Sequence, residues 1–197
     1  MRVPPARPRG RPRSTACHDA ILAATNELLE SQRYADVTIE GIAQRAGVAK
    51  QTLYKWWPSK AKLAMEAYAM RTRRAVRLPT TGSVEGDLVA WLTRTCKNLS
   101  RGNNGVTIAG LIAEAQSDSD LAKELRDTFI HSRRTLTAGL LERGIHSGEL
   151  RAEIDIPTTL DLLFGPIWYR LLLRNAPLDA AFARSIVTHL LPSLRQR

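Results

Sequence analysis

The sequence predicts an all-α protein of about nine helices, and three observations support this fold class. Alanine, leucine and arginine are abundant among the 197 residues, whereas aromatic residues make up only 6%. Apolar residues recur at intervals of three and four along most of the chain, and strand-type alternation is scarce. The chain is long enough to bury a proper core in one or two helical domains.

The net charge of +10 is concentrated in the first part of the chain. Residues 1–78 hold 15 lysine and arginine residues against 6 acidic residues, whereas residues 79–197 hold 14 against 13. A polyanion is therefore the expected partner of the first part. A partner of different chemistry is expected for the second part.

Several classes of protein are not supported by the sequence. No apolar run reaches the roughly 18 residues of a spanning helix, and no signal-peptide core is present, so a cytoplasmic protein without a membrane partner is expected. Cys17 and Cys96 have no metal or redox spacing and are expected to be buried and reduced. The four histidines are scattered, and no phosphate loop, nucleophile elbow or paired-carboxylate motif occurs. We therefore expect no enzyme activity, catalytic residue, metal or cofactor.

The first thirteen residues form a basic arm. They contain five arginines, four prolines and no acidic residue, a composition that cannot build a core and predicts disorder in the free protein. Arg9-Gly10-Arg11-Pro12 resembles the core of an AT-hook, in which extended arginines enter a narrow minor groove. Two interpretations stay open: Arg9 and Arg11 contact the minor groove, or the arm is a solvated tail that adds only non-specific attraction.

An amphipathic helix and a helix-turn-helix are predicted next. The first helix runs from Ser14 to about Ser31. Tyr34 and Val37 in the linking segment are expected to be buried in the core. The segment 38–60 then predicts two short helices with a tight corner at Gly47. A threonine that can accept a backbone N–H precedes the first of them, and a proline ends the second.

Four short motifs in this segment resemble a known family. They are T-I-E-G-I-A, R-A-G-V, T-L-Y and W-P-S-K. Together they resemble the N-terminal DNA-binding domain of the TetR family of bacterial transcriptional repressors. The resemblance implies a homodimer that binds double-stranded DNA at an inverted-repeat operator and responds to a small-molecule effector. One departure is Ala49, where a serine often caps the recognition helix.

The recognition helix carries the side chains expected to contact DNA. Gln51 can bond both edges of an adenine, and Lys50 can reach guanine acceptors or a phosphate. Hydroxyl groups, a further lysine and an aromatic ring are expected on phosphate or sugar, and residues at two helix starts are expected to grip the flanking backbone. The predicted contacts in this segment are Thr38, Lys50, Gln51, Thr52, Tyr54, Lys55, Trp56 and Lys60.

The remaining helices divide the chain into two domains. A helix over 60–77 is predicted to complete a DNA-binding domain of residues 14–78. A break at residues 79–82 then begins a second domain of residues 79–197. Further helices are predicted there over about 83–101, 107–116, 117–146, 158–174 and 178–191.

The helix over 158–174 is apolar on almost every side, and such a helix must be buried all round. A domain of this size can cover one face only, so a partner subunit is expected to cover the other, together with the last helix. The run G-P-I-W-Y-R-L-L-L in this helix, followed by P-L-D, also resembles the C-terminal domain of one TetR subgroup. The predicted dimer residues are Leu160, Phe164, Ile167, Leu171, Phe182, Ile186, His189 and Leu190.

The resemblance also implies a small-molecule site in the second domain. The candidate lining residues are Trp91, Cys96, Leu111, Phe129, Arg133, Trp168 and Tyr169, with Arg94 and His131 as further polar anchors. The alternative is that each aromatic residue is simply core or dimer packing.

Two functional hypotheses follow from the sequence. The first is a sequence-specific homodimeric repressor that a ligand releases from a palindromic operator. The second is an architectural DNA-binding protein in which the basic arm dominates and sequence matters little. The presence of Gln51 at a base-contacting position favours the first, because a purely electrostatic binder has no use for it there.

Overall fold

The computed structural model describes residues 15–73 and 78–195, and across these ranges the backbone is helical, turn or loop, with no strand. The all-α prediction is confirmed. None of the helices in the described ranges is long and apolar enough to cross a membrane. The helices are α1 (Thr15–Ser31), α2 (Ile39–Ala46), α3 (Lys50–Tyr54), α4 (Lys60–Arg73), α5 (Val84–Ser100), α6 (Asn104–Ala115), α7 (Ser119–Glu124), α8 (His131–His146), α9 (Ile156–Leu173) and α10 (Ala180–Leu194).

The first four helices pack around one core. Ile21 from α1, Ile42 from α2 and Leu53 from α3 are fully buried together with Leu63 from α4. A short 3-10 turn, Tyr34–Asp36, links α1 to α2, and Tyr34 and Val37 are both buried as the sequence predicted. Apolar burial of this kind fixes the positions of α2 and α3 relative to α1 and α4.

The second group of helices, α5 to α10, encloses another part of the same hydrophobic core. α5 packs along α10 and α8, and α9 packs on α8, α10 and α6. The Trp91 indole on α5 donates a 2.8 Å hydrogen bond to the Thr137 hydroxyl on α8, and both residues are buried. A buried indole N–H with a partner avoids the cost of an unsatisfied donor.

One helix contains a segment that periodicity did not predict. A π-helical turn, Leu125–Ile130, joins α7 to α8, where the sequence predicted a regular helix from residue 117 to 146. The Asp118 carboxylate caps α7 by accepting from two backbone N–H groups. A second correction concerns α6, which begins at Asn104 and not at residue 107.

The two groups of helices meet at α6. The Tyr34 hydroxyl donates a 2.5 Å hydrogen bond to the Glu114 carboxylate, and Gly110 lies so close to the Tyr34 ring that a Cβ there would approach it to 2.7 Å. The Arg71 guanidinium on α4 donates to Asn104 at 2.6 Å and to Glu30 at 3.1 Å. The junction is thus held by polar contacts from α1, α4 and the linking turn. The predicted boundary between residues 78 and 79 stays a prediction.

Candidate DNA-binding surface and ligand cavity

The helix-turn-helix is built by local backbone chemistry. The Thr38 hydroxyl accepts the Gly41 N–H at 3.0 Å and caps α2. Gly47 ends α2 with φ 68°, a left-handed conformation that favours glycine, and turns the chain into α3. Ala49 precedes α3 without a side-chain cap, as its sequence implies. These features place the N-terminus of α3 on the surface.

The exposed face of α3 carries most of the predicted base and phosphate contacts. Gln51 and Lys55 are exposed, and Tyr54 is 48% exposed. Lys50 is also exposed and forms an ion pair with Glu40 of α2. This pairing lowers the pKa of Glu40 and raises the pKa of Lys50. Because the pair is solvated, an approaching phosphate can compete with Glu40 for the ammonium group.

Three predicted DNA contacts lie against the protein itself. The Trp56 ring is half-buried between His18 and Trp57, with centroid distances of 5.2 and 5.4 Å. The Lys60 ammonium donates to the Tyr34 carbonyl at 3.2 Å and lies 4.4 Å from the centroid of the Tyr34 ring. Thr52 is half-buried. Trp56 and Lys60 therefore brace the helix-turn-helix in this chain, and Arg9 and Arg11 lie outside the described residues.

A cavity of about 250 Å³ lies between α4, α5, the π-helical turn, α8 and α9. Four predicted ligand residues line it together, namely Trp91, Phe129, Arg133 and Trp168, and the predicted anchor Arg94 joins them. A second cavity, of about 280 Å³, shares Arg133 and Trp168 with the first. Convergence of these side chains makes this the candidate ligand site.

The other predicted ligand residues lie elsewhere. Cys96 and Leu111 are fully buried and do not line either cavity, and burial raises the pKa of the Cys96 thiol to about 11. Tyr169 is 58% exposed on the outer face of α9, and His131 is exposed at the start of α8. These four residues therefore lie outside the candidate ligand site.

Sequence reasoning missed part of the cavity wall. Thr95 and Asn98 follow Trp91 at helical spacing on the same face of α5 as Arg94, so an i, i+3, i+4, i+7 search from Trp91 would have found them. Thr72 closes the cavity from α4. No local signal marks Thr72, because its position depends on how α4 crosses the second group of helices. The missed residues are Thr72, Thr95, Lys97, Asn98, Leu99, Arg101, Phe164 and Ile167.

The predicted dimer face needs correction. Leu160, Phe164, Ile167 and Ile186 are less than 10% exposed in the single chain, so they have little surface to give to a partner. Three others are half-buried and one is exposed: Leu171, Phe182, Leu190 and His189. The large apolar side chains of α9 that solvent reaches are instead Leu162, Tyr169, Leu172 and Leu173. The chain's own core takes one face of α9 and leaves these residues on the other.

Among the described residues, no group of three or more His, Cys, Asp or Glu side chains is placed to hold a metal ion. The chemical groups on the exposed face of α3 are instead those that bind nucleic acid: ammonium groups, an amide and a phenol. Fold and surface together define a helix-turn-helix DNA-binding protein.

Comparison with known proteins identifies the family. Residues 21–67 match the family model described as "Bacterial regulatory proteins, tetR family", and residues 78–190 match "Tetracyclin repressor-like, C-terminal domain". The second match covers more than half of the chain. The chain therefore belongs to the TetR family of transcriptional regulators. Members of this family bind DNA, act as dimers and bind small-molecule ligands.

Individual relatives extend over nearly the whole chain. The Bacillus subtilis (strain 168) protein "Uncharacterized HTH-type transcriptional regulator YdeS" is 40% identical over 179 residues, which cover 91% of this chain and 90% of the relative. The crystal structure of the TetR family regulator SCO0332 is 36% identical, with a TM-score of 0.79, and covers 91% of this chain and 99% of that one. FadR from B. subtilis, solved with stearoyl-CoA, has a TM-score of 0.68 at 20% identity over 88% and 97% of the two chains. That last likeness concerns the fold alone.

Proposed function

We propose that this protein is a homodimeric repressor that binds an inverted-repeat operator through α3 and leaves it when a small molecule occupies the cavity. Gln51 and Lys50 contact bases, and Tyr54 and Lys55 contact the phosphate backbone.

The main support for this proposal is that α4 contacts the helix-turn-helix at one end and the cavity at the other. Lys60, at its start, is bonded to the turn that precedes α2, and Thr72, near its end, forms part of the cavity wall. The helix has 14 residues, so it extends over about 20 Å. A ligand that displaces the cavity end of α4 must also move the helix-turn-helix packed against its other end.

A ligand can release DNA only if it binds the released conformation more tightly than the DNA-bound one. Typical coupling of this kind is about 1–3 kcal/mol, or roughly 5- to 150-fold in DNA affinity. The structure of FadR with stearoyl-CoA supports the idea that this fold can hold a ligand.

The proposed dimer uses the outer face of α9 with α10. Four large apolar side chains on α9 are exposed, and the exposed residues of α10 include the small residues Ala181, Ser185 and Thr188. Small residues permit close approach of helices, and two copies related by a two-fold axis would cover both faces.

The test is selection of bound duplexes from a random DNA pool at near-physiological salt. We expect enrichment of inverted repeats with half-sites about one or more helical turns apart. The matched control is Gln51→Ala, which should bind DNA but enrich the repeat poorly. Removal of residues 1–13 should reduce affinity without changing the selected sequence.

Failure to enrich any sequence would contradict the proposal. Binding that also disappears when residues 1–13 are removed would instead support the architectural alternative, in which the basic arm supplies the affinity.

A further inference from the structure

The Arg133 guanidinium occupies an unusual electrostatic position. It forms part of the wall shared by the two cavities, lies 3.5 Å from the centroid of the Phe129 ring and donates to the Phe129 carbonyl at 3.1 Å. No carboxylate among the described residues forms an ion pair with it. Burial lowers the pKa of Arg133 to about 10, so it remains charged at neutral pH. A desolvated charge without a counter-ion is costly, and an anion would relieve that cost.

The neighbouring arginine shows the usual solution to this problem. Arg134 forms an ion pair with Asp161 of α9 and also donates to the Pro157 carbonyl. Its charge is therefore balanced within the protein, whereas the charge of Arg133 is not. The difference between adjacent residues on one helix points to a specific use for the unbalanced cation.

The rest of the first cavity has the same sign of charge. Its charged lining residues are Arg133 and the exposed Arg94, Lys97 and Arg101, and no aspartate or glutamate lines it. The second cavity has one carboxylate in its wall, Asp161, which is the ion-pair partner of Arg134. In a cleft with low-dielectric walls, cations of one sign focus the field and attract anions. A neutral ligand gains less from this arrangement than an anion does, and a cationic ligand is repelled.

A buried tyrosine lies close to this part of the wall, with its ring centroid 5.4 Å from that of Phe129. The Tyr68 hydroxyl is fully buried and has no hydrogen-bond partner among the described residues. Burial raises the pKa of Tyr68 to about 12, and the charge of Arg133 opposes that rise.

The aromatic residues of the cavity wall indicate what the apolar part of the ligand is like. Trp91, Phe129, Phe164 and Trp168 present aromatic rings around it, and aromatic walls stack well on flat apolar groups. The volumes of about 250 and 280 Å³ suit a small molecule, not a polymer.

We propose that the effector is a small organic acid with a flat apolar body, whose carboxylate binds the Arg133 guanidinium. The inference rests on the proposed function only in taking this cavity as the effector site. Two N–H groups of the guanidinium can meet both carboxylate oxygens, which gives orientation as well as affinity. Phe129 and Trp168 hold the apolar body.

The test compares two probes of nearly the same shape, 2-naphthoate and the neutral 2-naphthamide. Each is titrated into the full-length protein and followed by calorimetry, which needs no DNA. We expect 2-naphthoate to bind about tenfold more tightly or better, because a hydrogen bond to a charged group contributes more than a neutral one. Raised salt should weaken this preference only slightly, since the cation is largely shielded from solvent.

Three variants assign the preference to one side chain. Arg133→Met should abolish the preference for 2-naphthoate, Arg133→Lys should restore part of it, and Arg126→Met is the matched control. Arg126 is exposed on the same run of helix and lines neither cavity, so its removal should change nothing. Thermal unfolding checks folding, and Arg133→Met should be no less stable than the original protein because it removes a half-buried charge that has no carboxylate partner.

The outcomes separate this inference from the proposed function. Equal binding of the two probes, a preference that survives Arg133→Met, or no binding of either probe would overturn the assignment of an organic acid. None of these results affects the selection of duplexes, which depends on α3. Conversely, a preference that follows Arg133 would stand even if no operator were enriched.

Discussion

The two groups of helices expose opposite kinds of surface. Among the described residues, five large apolar side chains are exposed, and four of them lie on α9. The fifth, Tyr54, lies on the recognition helix, where lysines and a glutamine surround it. The exposed recognition surface of the first group is therefore polar, whereas the outer face of α9 in the second group is apolar.

Cations are also used differently in the two groups. Lys50 lies in solvent beside Glu40, so its charge is screened and adds to others in binding a polyanion. Arg133 lies in a cavity wall without a carboxylate partner among the described residues, so a single anion there would gain much more per charge. A cationic side chain thus contributes to binding a polyanion at Lys50 and to binding a small anion at Arg133.

The largest expected effect comes from charging the apolar face of α9. Leu172→Asp should convert a dimer to a monomer and reduce affinity for the selected inverted repeat by about 100-fold or more, because two half-sites are no longer bound together. Analytical ultracentrifugation and DNA titration measure the two effects. Ala152→Asp, on an exposed turn before α9, is the control and should remain a dimer.

The polar surface of α3 can be divided into base and phosphate contacts. Gln51→Ala should cost about 1–3 kcal/mol on the selected duplex and little on a scrambled one. Lys55→Ala should weaken both duplexes alike and reduce the salt dependence by about one phosphate contact. Titrations at several salt concentrations distinguish these results. If Gln51→Ala and Lys55→Ala reduced the preference for the selected duplex over the scrambled one equally, the assignment of Gln51 to a base and Lys55 to a phosphate would be wrong.

The junction between the groups should contribute less. Tyr34→Phe keeps the ring against Gly110 but removes the 2.5 Å hydrogen bond to Glu114. The expected loss is about 1 kcal/mol, or about 2–4 °C in Tm, because water can still solvate the exposed carboxylate. Calorimetric melting measures it. Tyr54→Phe, at an exposed position, should leave Tm unchanged.

The smallest effect is a difference in thiol reactivity. Cys17 in α1 is half-buried, whereas Cys96 in α5 is fully buried with a pKa of about 11. A raised thiol pKa leaves less thiolate at a given pH, so only about one Cys96 in a thousand is thiolate at pH 8. Iodoacetamide should therefore label Cys17 first, and mass spectrometry would detect it. Rapid labelling of Cys96 in the folded protein would contradict its placement.

The helix-turn-helix was predictable because its signals are local. Thr38 as a cap, Gly47 at the corner and Leu53 in the core each follow from the residue type at that position. The pairing of Lys50 with Glu40 was not predicted, since it depends on the angle between α2 and α3.

The ligand cavity was only partly predictable because a π-helical turn changes the register of one helix. In a regular helix the face of Phe129 continues through Ser132 and Arg133 to Leu136 and Thr137, so periodicity does not decide between the members of each pair. The π-helical turn at Leu125–Ile130 adds a residue to that turn and rotates the following face. Thr137 is consequently buried in place of Leu136, and Arg133 reaches the cavity wall.

The inner and outer faces of α9 were not separable by sequence. Leucine and aromatic residues occur on both, so periodicity gives no preference for the face that the chain covers itself. Contacts with α8, α10 and α6 decide it, and they leave Leu162 and Tyr169 outside.

We propose that one dimer, joined through α9 and α10, binds two half-sites through its two copies of α3. The most direct measurement is sedimentation of the protein with the selected inverted repeat and with a duplex in which one half-site is scrambled. We expect two protomers, or a multiple of two, on the intact repeat and at least about tenfold weaker binding to the scrambled duplex. Single protomers that bind each half-site independently, with equal affinity for both duplexes, would contradict it.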